Sequence, residues 1–196
     1  AKNAGGHYSV AEGTHTIDEG AFTSARITSV TLPASLHRVE KAAFVSSQVT
    51  SLALPDGFES MGDMAFWYMP KLERVDLGGT TAVSDSAFRY DKALAEVNFR
   101  PNLGRLVTVG DYAFEDAPIT AVTVPDSVTS IGKFAFSGNS SLTRVHLGSS
   151  LTSIGEGAFL GASSLASLSV VPANSMYTVE DGILYSKGDA GRTLVL

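Results

Sequence analysis

The apolar positions along this chain of 196 residues repeat with a nearly constant spacing. The dipeptide Ala-Phe recurs every 22 to 26 residues, and its phenylalanines are Phe22, Phe44, Phe66, Phe88, Phe114, Phe136 and Phe159. An aliphatic residue stands four positions before the alanine of each pair, as Ile17 does before Ala21. A constant period of this length indicates one supersecondary unit that is copied along the chain.

A second apolar element follows each Ala-Phe pair in the order apolar-x-x-apolar-x-apolar, as in Ile27, Val30 and Leu32. Its last two positions alternate with polar or small residues, which is the pattern of a short strand with one buried face. In three units a proline ends this strand, namely Pro33, Pro55 and Pro125. The chain then turns through polar residues toward the next Ala-Phe pair.

One such unit cannot bury both its aliphatic residues and its phenylalanine, whereas stacked units can, because each contacts the next. We therefore predict a repeat solenoid of about seven units, with short parallel strands on one face and turns or single helical turns on the other. The phenylalanine rings should form an internal column. We expect little long helix, because no segment carries a sustained apolar stripe with a period of 3.6 residues.

Residues 119 to 136 show the full unit and contain the sequence PDSVTSIGKFAF. This pattern resembles the BspA-like leucine-rich repeats of bacterial and some protist surface proteins. The segment NSMYTVEDGILYSKGDAGRTLVL, residues 174 to 196, is similar to an element of the same family that makes a hairpin after a strand. The resemblance covers residues 14 to 196, and it implies a leucine-rich-repeat horseshoe, a right-handed stack whose strands line a concave face.

The resemblance also implies an extracellular or cell-surface protein that adheres to a protein or glycan of a host or of neighbouring cells. The family has no catalytic motif to carry over, so we expect no enzyme activity and no cofactor. The chain begins at Ala1 without an apolar leader. We expect either that a leader has been removed or that the sequence itself has been trimmed.

We expect a single solenoid domain over residues 1–196, with an N-terminal cap or disordered stretch at 1–13, repeats over 14–171 and a hairpin-like element at 172–196. An insertion around Arg100 to Arg105, and Gly78-Gly79 where other units have proline, predict irregularity in the middle. If Ile183 to Tyr185 pairs with Thr193 to Val195, the hairpin is a C-terminal cap. Otherwise an exposed sheet edge predicts self-association.

Composition removes several classes of function. The net charge of -6 and the pI of about 5.1 disfavour binding to nucleic acid or to an anionic membrane. Cysteine is absent, which excludes disulfides, thiolate zinc sites and cysteine nucleophiles. No apolar run approaches the roughly 18 residues of a membrane span. The four histidines, His7, His15, His37 and His146, lack metal-ligand spacing, so we expect no metal site.

Strand positions that point away from the apolar ladder should align into columns on the concave sheet, where repeat proteins usually present their contacts. The predicted binding residues are the charged and polar members of these columns, namely Arg74, Asp76, Glu96, Asn98, Arg100, Arg144 and His146. The alternative is that they are ordinary solvated cross-strand pairs, each worth a fraction of a kcal/mol.

Trp67, Tyr68 and Met69 follow an Ala-Phe pair where other units have smaller or charged residues. Exposed aromatic residues commonly anchor interfaces, so Trp67 and Tyr68 form a predicted second contact site. The alternative is that the cluster fills a gap made by the shortened loop after Leu77, because tryptophan is usually largely buried. A self-associating structural module, present as a homo-oligomer, is the alternative function.

Overall fold

The computed structural model describes residues 5–99, 104–188 and 191–194, which form a β-solenoid of about seven turns. No helix occurs in this part of the chain, and therefore none that could span a membrane. The strands are numbered β1 to β18 in chain order. Each solenoid turn contributes one longer strand, one two-residue strand and one tight turn that contains Ala-Phe.

The longer strands form a parallel sheet, here called the broad sheet. They are β1 (Gly6–Ser9), β3 (Ile27–Thr31), β5 (Ser51–Ala53), β7 (Arg74–Asp76), β9 (Glu96–Asn98), β11 (Ala121–Thr123), β13 (Arg144–Leu147) and β15 (Ser167–Val170). In β5, β7 and β11 the central apolar residue is buried and its neighbours are exposed or half-buried. The alternation of the apolar triplets therefore places one face of this sheet in the core.

The two-residue strands form a second parallel layer, the narrow sheet. They are β2 (Thr16–Ile17), β4 (Arg38–Val39), β6 (Ser60–Met61), β8 (Ala82–Val83), β10 (Thr108–Val109), β12 (Ser130–Ile131) and β14 (Ser153–Ile154). The second residue of each is the aliphatic residue that precedes Ala-Phe, and it is buried from Ile17 to Ile131. Glycine after this residue permits close stacking: a Cβ on Gly132 would lie 2.5 Å from the backbone nitrogen of Asp111.

The third side of the solenoid, here called the turn face, consists of the Ala-Phe turns. The N–H of each phenylalanine from Phe22 to Phe136 donates to the alanine C=O of the next unit, at 2.6 Å from Phe22 to Ala43 and 3.0 Å from Phe66 to Ala87. The seven phenylalanine rings stack with centroid separations of 4.7 to 5.4 Å. The predicted internal aromatic column is therefore confirmed.

The broad sheet is interrupted between β3 and β5 and between β9 and β11. The second interruption lies beside the insertion, of which residues 100–103 fall outside the described residues. Near the glycine pair, a Cβ on Gly78 would lie 2.1 Å from the C=O oxygen of Leu54, so this turn packs tightly on the preceding unit. The narrow sheet is also interrupted between β6 and β8, which flank this turn in the sequence, so irregularity occurs in the middle, whereas the break between β3 and β5 lies near the N-terminal end.

An antiparallel sheet follows the last solenoid turn. It contains β16 (Tyr177–Glu180), β17 (Ile183–Gly188) and β18 (Gly191–Leu194). Tyr185 lies opposite Leu194 and Ser186 opposite Thr193, so β17 and β18 pair, which is the first of the two alternatives above. The paired segments are 185–188 and 191–194, and Val195 lies outside the described residues. The side chain of Leu184 is fully buried, which anchors this sheet to the end of the core.

Candidate binding surfaces

The broad sheet brings four of the predicted binding residues together. Arg74 pairs in register with Glu96, and Asp76 with Asn98. The Arg74 Nη2 and Glu96 Oε1 atoms are 3.2 Å apart, and both side chains are more than half exposed. The Asn98 amide donates to the Asp76 carboxylate at 3.3 Å. These polar groups therefore satisfy one another at the surface, where such pairs contribute little to stability.

The other predicted broad-sheet residues are separate from this group. Arg144 and His146 lie on β13, beyond the interruption between β9 and β11. Arg144 is exposed, and the half-buried His146 ring shares a 2.8 Å hydrogen bond with the Ser169 hydroxyl. Arg100 lies outside the described residues. Of the seven predicted residues, four thus form one cluster and two lie together on β13, while the position of Arg100 is not described.

The turn face carries a continuous row of aromatic residues around one arginine, here called the aromatic band. Its members are Trp67, Tyr68, Arg89, Tyr90, Tyr112 and Phe134. The Trp67 ring lies 5.6 Å from that of Tyr68 and meets Tyr90 edge-on at 6.3 Å. The Arg89 guanidinium lies between two tyrosine rings, 4.6 Å from Tyr90 and 4.7 Å from Tyr112. Tyr112 in turn stacks on Phe134 at 5.4 Å.

The band has no unbalanced charge. Arg89 donates to Glu115 in a close ion pair and also to the Tyr90 hydroxyl at 2.9 Å. Beside the band, Lys92 pairs with Asp116 at 3.3 Å. Each cation thus has its own carboxylate. The band offers ring edges, hydroxyls and a packed guanidinium whose charge is already paired.

The backbone under the band is unusual, because two positions in each turn have a left-handed conformation. They lie two residues before and two residues after the phenylalanine, and at the ends of the solenoid they are often glycine, as at Gly20, Gly157 and Gly161. Five further positions carry small or polar residues in the same conformation, namely Ser24, Ala42, Ser46, Ser86 and Asp116. The remaining five carry large side chains with φ between 52° and 64°, namely Met64, Tyr68, Tyr90, Tyr112 and Phe134. This conformation costs a residue other than glycine about 1–2 kcal/mol.

The predicted aromatic cluster is only partly a surface feature. Tyr68 is 47% exposed and Trp67 is half-buried, while Met69 is fully buried in the core. Met69 stands three residues after the phenylalanine, a position that points inward in other units, as Ala25 and Ser47 do. Sequence reasoning also missed Arg89, Tyr90, Tyr112 and Phe134. Alignment on Ala-Phe places Arg89 and Tyr90 at the positions of Trp67 and Tyr68, and it places Tyr112 and Phe134 at the position of Met64.

Repetition also brings two histidines together on the narrow-sheet side. The rings of His15 and His37 stack at 5.4 Å with 4° between their planes, and each Nδ1 is within hydrogen-bond distance of a carbonyl oxygen of the next unit. Glu59 follows in the same column, 4.0 Å from His37. Among the described residues, no group of three or more histidine or acidic side chains is placed to hold a metal ion.

Comparison with solved structures supports the architecture. The chain is similar to a leucine-rich repeat protein from Eubacterium ventriosum, with 25% identity and a TM-score of 0.64 over 71% of this chain and 37% of that one. It is also similar to a leucine rich cell surface protein from Faecalibacterium prausnitzii, with 20% identity and a TM-score of 0.61 over 98% of this chain and 54% of that one. The chain therefore spans about half or less of the length of these proteins.

A search of curated proteins finds no match to this chain. A family model for the BspA type leucine rich repeat region matches in six copies, over residues 15–107 and 107–187. These matches cover most of the chain, and they agree with the repeat unit, the parallel strands and the phenylalanine column described above. The chain therefore belongs to the BspA-type leucine-rich-repeat family.

Proposed function

We propose that this protein is a non-catalytic binding protein of a bacterial cell surface or the extracellular space, which contacts a protein or glycan of a host or neighbouring cell through the aromatic band. The observation that carries the proposal is the set of large side chains at left-handed positions. Such backbone strain persists only where the surrounding structure enforces it, and it clusters at functional sites. Glycine at the same positions elsewhere in the chain shows that the fold itself does not require these side chains.

The chemistry of the band suits a macromolecular partner. Tryptophan, tyrosine and arginine dominate the binding energy of interfaces, and aromatic residues, methionine and arginine are enriched there. Met64, 40% exposed at the other left-handed position of the same turn, adds an exposed apolar side chain to this face. Because Arg89 is already packed between two rings and paired with Glu115, it can be covered by a partner without leaving a buried charge alone.

The predicted broad-sheet residues remain a second proposed contact surface. Arg74, Asp76, Glu96 and Asn98 form its centre. Arg144 and His146 would extend it along the same face, and Arg100 belongs to the proposal on its sequence position alone. These four side chains already pair with one another, which favours a partner that binds through hydroxyl or amide groups over one that supplies a compensating charge.

The test is a binding screen with immobilised matrix proteins and with neutral and sialylated oligosaccharides. The double variant Trp67→Ala/Tyr68→Ala should lose at least about tenfold in affinity, about 1.4 kcal/mol, for any probe that the wild type binds. Leu160→Ala is the matched control, because Leu160 follows its phenylalanine as Trp67 does and is 60% exposed outside the band. A screen without any bound probe, or equal losses in both variants, would count against the proposal.

Self-association is the alternative function, and the strong exposure of Leu160 on the last turn favours it. Light scattering from dilute to concentrated samples separates the two. A constant molar mass near 20.5 kDa supports a monomer that binds other molecules. A defined oligomer that Leu160→Ala disperses would favour the structural module instead.

A further inference from the structure

Among the residues that the structure describes, one carboxyl side chain is buried, and it lies beneath the aromatic band. Asp91 follows Tyr90 in sequence, and its side chain has no exposed surface. One oxygen, Oδ1, accepts the N–H of Met69 at 2.6 Å. The other, Oδ2, is buried without a hydrogen-bond partner among the described residues. An unsatisfied buried carboxylate oxygen is costly, and far more so when it carries charge.

The repeat supplies an internal comparison for this position. Asn139 also stands three residues after its phenylalanine and is also fully buried. Its Oδ1 accepts the N–H of Ile119 at 3.3 Å, and its Nδ2 donates to the C=O of Phe114 at 2.8 Å. The site beneath the turn therefore accommodates a group that accepts on one side and donates on the other. An aspartate side chain has a donor only when it is protonated.

The charged groups around Asp91 do not compensate it. On its own segment, Arg89 is paired with Glu115, and Lys92 is paired with Asp116. From the preceding unit, Met69 contributes only its N–H. Burial therefore raises the pKa of Asp91 well above its usual value, and the hydrogen bond from Met69 opposes this only in part.

We infer that Asp91 is a proton-binding site of the folded solenoid, and that its ionisation loosens the turn that carries Arg89, Tyr90 and Lys92. The proton would sit on Oδ2, and it is released to solvent as the pH rises. The turn next to Asp91 carries Arg89 and Tyr90, which form the middle of the aromatic band. The band is therefore best ordered at acidic pH. The consequence for partner binding rests on the proposed function, whereas the proton site does not.

The sign of the pH dependence follows from linkage. A folded-state pKa above the unfolded value means that the folded protein holds the proton more tightly. The stabilisation is complete below the unfolded value of about 3.9 and is lost as the pH rises through the folded-state pKa. The wild type should therefore lose stability from mildly acidic toward neutral pH through this group.

Trp67 is the only tryptophan in the chain and meets Tyr90 edge-on, so its fluorescence reports on this turn. From about pH 4 to about pH 9, the wild type should show a shift in Trp67 emission that Asp91→Asn abolishes. Asp91→Asn should also raise the melting temperature at neutral pH. Asn139→Asp is the matched control: it should lower that temperature without altering Trp67 emission. Identical pH profiles of wild type and Asp91→Asn would overturn the inference.

A second measurement needs no variant. Carbon-13 NMR of the wild-type carboxyl groups follows Asp91 directly, and a midpoint at the ordinary value of about 3.9 would refute the proton site. Neither measurement uses a binding partner. A binding screen without any bound probe would therefore not contradict the proton site. A titration without a raised midpoint for Asp91 would refute the proton site but would not contradict binding by the band.

Discussion

Replacement of Tyr68 by glycine and by alanine separates the backbone strain of the aromatic band from its side-chain contacts. Tyr68 has φ of 52° and is 47% exposed. Alanine keeps the left-handed penalty of about 1–2 kcal/mol, while glycine avoids it. Glycine in turn loses about 0.5–1 kcal/mol more than alanine through the entropy of the unfolded chain. The balance makes Tyr68→Gly more stable than Tyr68→Ala by up to about 1.5 kcal/mol.

Both variants also lose the contact between the Tyr68 and Trp67 rings, which is worth about 0.5–1.5 kcal/mol. Tyr68→Gly should therefore unfold close to the wild type in urea, and Tyr68→Ala at a lower denaturant concentration. Arg74 is the control position, because it lies in the regular strand β7 and is not left-handed. There the order should reverse, with glycine the less stable by about 0.5–1 kcal/mol. If alanine equals or exceeds glycine in stability at position 68, the strain argument is wrong.

Three further predictions concern the fold. Phe88→Ala, in the middle of the ring column, should lower the free energy of unfolding in urea by about 3–5 kcal/mol. Phe22→Ala, at the half-buried end of the column, should lower it clearly less. Equal losses would contradict the claim that the column forms the core. Gly132→Ala should lower the free energy of unfolding by about 1–3 kcal/mol, because its Cβ would lie 2.5 Å from the Asp111 backbone. Gly5→Ala, which has open space around its Cβ, should leave the stability unchanged. An unchanged stability of Gly132→Ala would argue against close stacking of the units. A double-mutant cycle on Arg74 and Glu96 should give a coupling free energy below about 1 kcal/mol, which decreases as the salt concentration rises. A larger coupling energy would mean that the pair contributes to the stability of the fold.

Most of the fold could be predicted from the regular spacing of a few residues along the sequence. Ala-Phe, the preceding aliphatic residue and the apolar triplet each keep a fixed distance, and each of them became one side of the solenoid. Such prediction works because every unit contacts only its neighbours, so the local pattern and the global fold agree. The interruption between β9 and β11 is harder to place, since it depends on how the inserted residues disturb the register. The interruption between β3 and β5 has no inserted residues beside it.

The candidate site was less predictable. Trp67 and Tyr68 stood out as large residues at a repeat position, but the band also needs Arg89, Tyr90 and Tyr112 from later units. A tyrosine in the sequence does not indicate a left-handed backbone, whereas a glycine at the same position would suggest one. Asp91 was missed for a related reason. Its inward orientation follows from its distance to Phe88, whereas aspartate as a residue type suggests an exposed loop.

The central claim is that the aromatic side chains on the turn face bind a partner. The most direct test compares the affinity of Tyr68→Gly with that of the wild type for every probe that the wild type binds, after urea unfolding has established equal stability. We predict a loss of at least about fivefold, about 1 kcal/mol, in a protein that is folded as well as the wild type. Unchanged affinity in this stable variant would mean that the partner binds elsewhere, and that the side chain of Tyr68 is not part of the contact.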